Sequence, residues 1–181
     1  QFFLSDGTGS ISGSALALIL EGSRPFLIEV QSLATSSNLP QPRRVVTGID
    51  AGRLAMITAV LEKRGDIYFS NFDLFINVVG GLKLKTPAVD LPVAASLLSS
   101  LFNIAIPVST AFVGELGLGG EIREVPGLEI MLREGSRLGL KKIYAPAGRT
   151  KIKKNDLTEI VRIKSIFDII EEIRSMNIFD S

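Results

Sequence analysis

The chain reads as an α/β (α+β) protein built on a mixed sheet with packed helices, and three observations predict this. Apolar, β-branched runs of strand length alternate with segments of helical periodicity from one end of the chain to the other. Residues 72–79 read as a continuous apolar strand of the kind buried on both faces, which requires helices above and below it. A length of 181 residues with 46% apolar content suits one globular domain with a substantial core.

Each element has a local reason. Residues 1–13 are rich in Gly and Ser and carry too little apolar surface to offset their ordering entropy, so they are expected to be a flexible segment or linker, with the domain occupying 14–181. Residues 14–20 and 25–33 are apolar runs separated by Glu21-Gly22-Ser23-Arg24, the spacing of a β-hairpin. The Ser- and Pro-containing stretch 34–44 should be a surface loop leading into a strand at 45–49. Asp50 can cap a helix from Ala51 to about Arg64, with Leu54, Ile57, Thr58 and Leu61 on one face and Gly65 as its stop. The strand at 72–79 ends at Gly80-Gly81, and the alternation of Leu82-Lys83-Leu84-Lys85 suggests an edge strand.

Residues 87–101 have the pattern of a buried helix, in which Pro92 is tolerable only within the first turn or two or at a bend. A strand at 110–115 and a second stretch at 118–123 flank a Gly-rich turn. Leu128, Met131, Leu132 and Leu138 mark a helix over 127–138 that stops at Gly139. A short strand at 142–145, another at 160–163 and a helix over 165–175, with Phe167, Ile170, Ile173 and Arg174 in register, complete the chain.

Composition removes most familiar chemistry. With no Cys and no His there is no thiolate zinc site, no Cys nucleophile and no His-based triad. No Gly-x-x-x-x-Gly-Lys-Ser/Thr motif is present, and the glycines of 114–120 miss Gly-x-Gly-x-x-Gly because Ile122 stands at the third place, so they fit tight turns between strands better than a phosphate loop. The apolar runs, such as 15–20, fall far short of the roughly 20 residues that span a bilayer, so no membrane partner is expected. The first residues lack a signal-peptide pattern and begin with Gln1, which suggests an excised or processed fragment.

Three segments carry a specific resemblance: Gly48-Ile49-Asp50-Ala51-Gly52-Arg53-Leu54-Ala55-Met56, Asn77-Val78-Val79-Gly80-Gly81-Leu82-Lys83-Leu84, and Gly114 through Gly127 with its Glu121-Ile122-Arg123. Together with Pro42-Arg43-Arg44 and the opening hairpin they resemble bacterial and organellar RadA/Sms DNA-repair proteins over most of 14–146. In that family the C-terminal domain is similar to the Lon protease domain, whose fold is of the ribosomal protein S5 domain 2 type. The resemblance implies a position for the Lon nucleophile at Ala88, within Thr86-Pro87-Ala88-Val89-Asp90, and for its lysine at Glu129, within Pro126-Gly127-Leu128-Glu129. Ala88 has no hydroxyl to attack a carbonyl, and Glu129 is acidic where a neutral amine would accept the proton. Ser96, Ser99 and Ser100 lie roughly 12 Å or more along the same helix, too far to inherit the site. Lys83 and Lys85 have nothing to activate. This fragment is therefore expected not to be an enzyme. A peptidase with a relocated Ser–Lys pair, or a pure oligomerisation module, are the competing expectations.

The resemblance further implies a homo-hexameric ring, branch migration of recombination intermediates by a RecA-like ATPase outside this chain, and a RecA-type recombinase as partner. ATP, magnesium and zinc belong to those other parts; no cofactor or metal is expected in this domain. Charge distribution gives a candidate surface for single-stranded or branched DNA. Between Lys141 and Lys164 stand eight basic residues and two acidic ones, a local +6 that leaves −5 on the rest of a chain totalling +1. Lys151, Lys153 and Lys154, with Arg43 and Arg44, are the candidate phosphate contacts, and the scarcity of interleaved aromatics points to sequence-independent binding. A solvated basic loop is the plain alternative for the lysines, and carboxylate pairing for the arginines. A bacterial cytoplasm or a plant organelle both suit the resemblance.

Overall fold

A computed structural model of the protein describes residues 2–3, 11–153 and 157–176. Strands β1 (Phe2–Phe3), β2 (Ser14–Glu21), β3 (Arg24–Ser36), β4 (Arg44–Thr47), β5 (Phe72–Val78), β6 (Thr110–Phe112), β9 (Lys142–Pro146) and β10 (Glu159–Ile163) form one mixed sheet. Its order is β10-β9-β6-β2-β3-β5-β4, with β1 beside β3 off that path. The β2–β3 and β3–β5 pairs are antiparallel and the other neighbours parallel. A separate ribbon pairs β7 (Glu115–Leu116) with β8 (Ile122–Arg123). The helices are α1 (Ala51–Gly65), α2 (Asp90–Phe102), α3 (Leu128–Arg137) and α4 (Ile166–Ser175). The α/β expectation holds.

Alternation along β2 shows how the layers are built. Ala15, Ala17 and Ile19 face a core shared with α1, α2 and α4, while Leu16 and Leu18 face a second core with Leu128, Met131 and Leu132 of α3. The opening hairpin forms with Glu21 opposite Arg24 around Gly22-Ser23, as its turn residues predict. The strand buried on both faces is thus β2. In β5, Leu74, Ile76 and Val78 enter the first core, but Phe75 is half-buried and Asn77 exposed on the other side, because α3 covers only the other half of the sheet.

Other local expectations are corrected. Residues 82–85 form no strand, since their one backbone link is Leu84 N–H donating to the Gly48 carbonyl at 2.7 Å. Gly65 is the last helical residue of α1 and Asp66 takes the left-handed cap (φ 57°). Phe167 is exposed, and α4 buries Ile166, Ile169, Ile170 and Ile173 instead. Pro92 sits in the first turn of α2, after a 3-10 turn over Pro87–Val89. The Ala88 carbonyl, four residues before it, accepts from Gly114 N at 3.2 Å, which replaces the bond that Pro92 lacks the N–H to make. In the expected linker, residues 1 and 4–10 lie outside the described residues, but Ser12 bridges Ala105 and Gly13 N–H donates to Ser99 Oγ at 2.8 Å.

Candidate nucleic-acid interface

The two positions that the Lon resemblance marks, 88 and 129, lie in unlike surroundings. Ala88 lies in the 3-10 turn whose cap is Thr86, is 1% exposed, and packs with Leu16, Leu18, Leu27, Val125 and Leu128. Glu129 stands in the first turn of α3 and is exposed, with its carboxylate 2.9 Å from Arg133 one turn on. The hydroxyls of α2 are all engaged. Ser96 shares a hydrogen bond with Ser32 and donates to the Val93 carbonyl, Ser99 donates to Ile104 O, and Ser100 accepts from Ala34 N. No lysine nitrogen is among these partners, so the serines work as staples between α2, β3 and the segment before β2.

A larger feature lies at the carboxyl ends of the parallel pair β4 and β5. A groove of about 810 Å³ is bounded by the end of β4, the first turn of α1 and residues 83–85. Its cations are Arg53, Lys83 and Lys85. Gly48 makes this geometry possible: its φ is +94° and a Cβ there would stand 2.4 Å from Val78 Cβ. The chain can therefore turn between β4 and α1 while the Gly48 carbonyl ties down Leu84, whose buried side chain leaves Lys83 and Lys85 exposed on either side. Neither lysine enters an ion pair among the described residues. Asp50, the groove's own carboxylate, is exposed and accepts from Gly52 N at 2.6 Å as the cap of α1.

Arg53 is held from below. Its Nη1 lies 2.5 Å from Oδ1 of Asp90, a residue with no solvent exposure, whose Oδ2 accepts from Leu116 N at 3.0 Å. Burial pushes the Asp90 carboxyl above the usual carboxylate range, against the opposing pull of the Arg53 guanidinium and the Leu116 N–H. One carboxylate thus joins α1, α2 and the β7–β8 ribbon at the foot of the groove.

The residues singled out from the sequence are distributed elsewhere. Arg43 donates its N–H to Asp73 Oδ1 at 2.6 Å and its guanidinium to Oδ2 at 3.1 Å, and lies over the Phe75 ring. Arg44 donates to the carbonyls of Phe69 and Phe72. Lys151 and Lys153 are exposed on the connection between β9 and β10, and Lys154 lies outside the described residues. Arg53, Lys83 and Lys85 were not singled out as contacts. The alternation at 82–85 was their one signal, and the partnership of 53 with 83 and 85 exists only in three dimensions.

Fold and groove define a mixed α/β domain carrying a cationic cleft at the strand ends. Residues 54–149 match the family described as subunit ChlI of Mg-chelatase. Within that class the chain belongs to the DNA repair protein RadA family. It is 38% identical over 170 residues to "DNA repair protein RadA" of Synechocystis sp., covering 94% of this chain and 34% of that protein. It is 38% identical over 172 residues to the protein of the same name from Chlamydia pneumoniae (95% and 38%), and 39% identical over 176 residues to that of Streptococcus pyogenes (97% and 39%). The chain therefore spans between 34% and 39% of the length of these relatives. No described helix is long and apolar enough to cross a membrane.

Proposed function

We propose that this chain is the C-terminal, Lon-like, non-proteolytic domain of a RadA-type repair protein. It holds DNA by its phosphates and sets subunit register in a homo-hexameric ring, while a RecA-like ATPase outside this chain drives branch migration. Single-stranded or branched DNA, other copies of itself and a RecA-type recombinase are its partners, in a bacterial cytoplasm or a plant organelle. ATP, magnesium and zinc belong to the parts outside this chain. The carrying observation is the groove of Arg53, Lys83 and Lys85, where two exposed lysines without ion-pair partners among the described residues stand beside an arginine anchored on Asp90, and the lining's one carboxylate, Asp50, caps α1. Such a site neutralises phosphates and reads no bases. Arg44, Lys151, Lys153 and Lys154 add to the positive field that a strand meets on approach, and Arg43, whose charge Asp73 offsets, contributes as a hydrogen-bond donor to a phosphate.

The test is charge reversal in the groove. Lys83→Glu with Lys85→Glu is expected to weaken duplex and single-strand binding at least tenfold at low salt, and to reduce the slope of log affinity against log salt by about two, close to 0.9 per lost duplex contact. Unchanged affinity and slope would remove the groove from the interface. The same reversal at Lys151, Lys153 and Lys154 measures the share of the second basic stretch.

A further inference from the structure

A second cleft lies along the helix that carries Glu129, and its chemistry differs from that of the groove. It occupies about 410 Å³ between α3 and the connection of β9 to β10. Its floor is aliphatic, made by Leu132, Ile152 and Ile160, which pack on the core beneath α3. Arg133, Ser136 and Lys153 stand around it, and Glu129 is held by Arg133. Nearby, Lys142 is paired with Glu159 and Arg162 with Glu124, whereas Arg149, Lys151 and Lys153 enter no ion pair among the described residues.

We propose that this cleft docks an extended acidic segment of another protein, with one apolar side chain seated on the floor and its carboxylates on the basic rim. Two observations favour a peptide over a nucleic acid. The floor offers alkyl groups to an aliphatic side chain and no aromatic ring on which a base could stack. Ile160 belongs to β10, the outermost strand on this side of the sheet, so a segment lying over the floor runs beside an edge to which extended backbone can add. The volume is at the lower end for a ligand pocket, which suits one anchoring side chain rather than a folded domain.

Fluorescence anisotropy on this chain with a labelled eight-residue peptide, glutamates around one central leucine, tests the proposal. Saturable binding is expected. It should weaken at least tenfold with a counterpart carrying serine for the leucine, with one carrying glutamines for the glutamates, and in Ile152→Ser or Lys151→Glu/Lys153→Glu chains. The serine counterpart needs no change in the protein, so the result stands even if Ile152→Ser folds poorly. The Lys83→Glu/Lys85→Glu chain, impaired for DNA, should bind the peptide as the unaltered chain does, which separates this site from the DNA groove. No saturable binding, or equal binding of the serine counterpart, overturns it.

Discussion

A fully buried carboxylate survives at Asp90 because both its oxygens are occupied, one by the Arg53 guanidinium and the other by the Leu116 amide. Removing it would leave a half-buried guanidinium and a backbone N–H without their partner. Asp90→Ala is expected to destabilise the chain by about 3–5 kcal/mol, the usual cost of breaking a buried ion pair, measured by urea denaturation. A loss within about 0.5 kcal/mol would mean that the pair is not structural. The sequence identifies Asp50 as a cap because the cap and the N–H it accepts are two residues apart. It does not show that Arg53 meets Asp90, or that Arg43 meets Asp73, since those partners are 37 and 30 residues apart and meet only once strand order is known. That is why Arg43 reads as a free cation in the sequence and proves to be half of a pair.

Among elements, α2 shows what periodicity reveals and what it hides. Its apolar face was legible from the spacing of Leu91, Ala95 and Leu98, all fully buried. The role of its serines was not, because their partners lie on β3, at Gly13 and at Ile104. Ser99→Ala would orphan the Gly13 amide and deprive the Ile104 carbonyl of its donor. The expected cost is about 1–3 kcal/mol, read as a lowered denaturation midpoint, with faster hydrogen exchange at Gly13. If exchange at Gly13 is unchanged, the hydroxyl does not anchor that segment. The alternating residues 82–85 mislead for a related reason: a strand needs a partner along its length, and this segment has one bond to Gly48. By contrast the hairpin and the caps of α1 and α4 are decided within a few residues, and α4 carries both bonds of a capping box between Ser165 and Asp168.

Across the whole molecule, carboxylates set the response to acid. The backbone N–H of Arg43, aided by its guanidinium, holds Asp73 below the usual range; Glu121 is lowered by its own backbone N–H and by Arg123, and Glu134 by Arg137. A group held low in the folded state contributes stability that is present above the ordinary carboxylate range and is lost as pH falls through the lowered folded value. Asp90 runs the other way, its contribution present below the ordinary value and lost as pH rises through the raised one. Three groups against one predict a melting temperature that falls between about pH 5 and pH 2. In calorimetry, Asp73→Asn should melt lower than the unaltered chain near neutrality and converge with it in acid; parallel curves would contradict this. The α/β class was legible because strand-length apolar runs alternate with segments of helical periodicity along the chain. The bare half-face beyond β3 was not, since it depends on where α3 lands.

The closed packing around Ala88 bears on what a hydroxyl and an amine placed at 88 and 129 could do together. Val125 and Leu128 press on Ala88 from the α3 side, and Leu20 Cδ2 sits 2.5 Å from where a side chain at Gly127 would begin. A serine placed at 88 would enter an oily interior, and a lysine placed at 129 would emerge into solvent on an exposed helix turn. The two substitutions together would still leave no open room between the two groups, because Val125 and Leu128 pack against position 88.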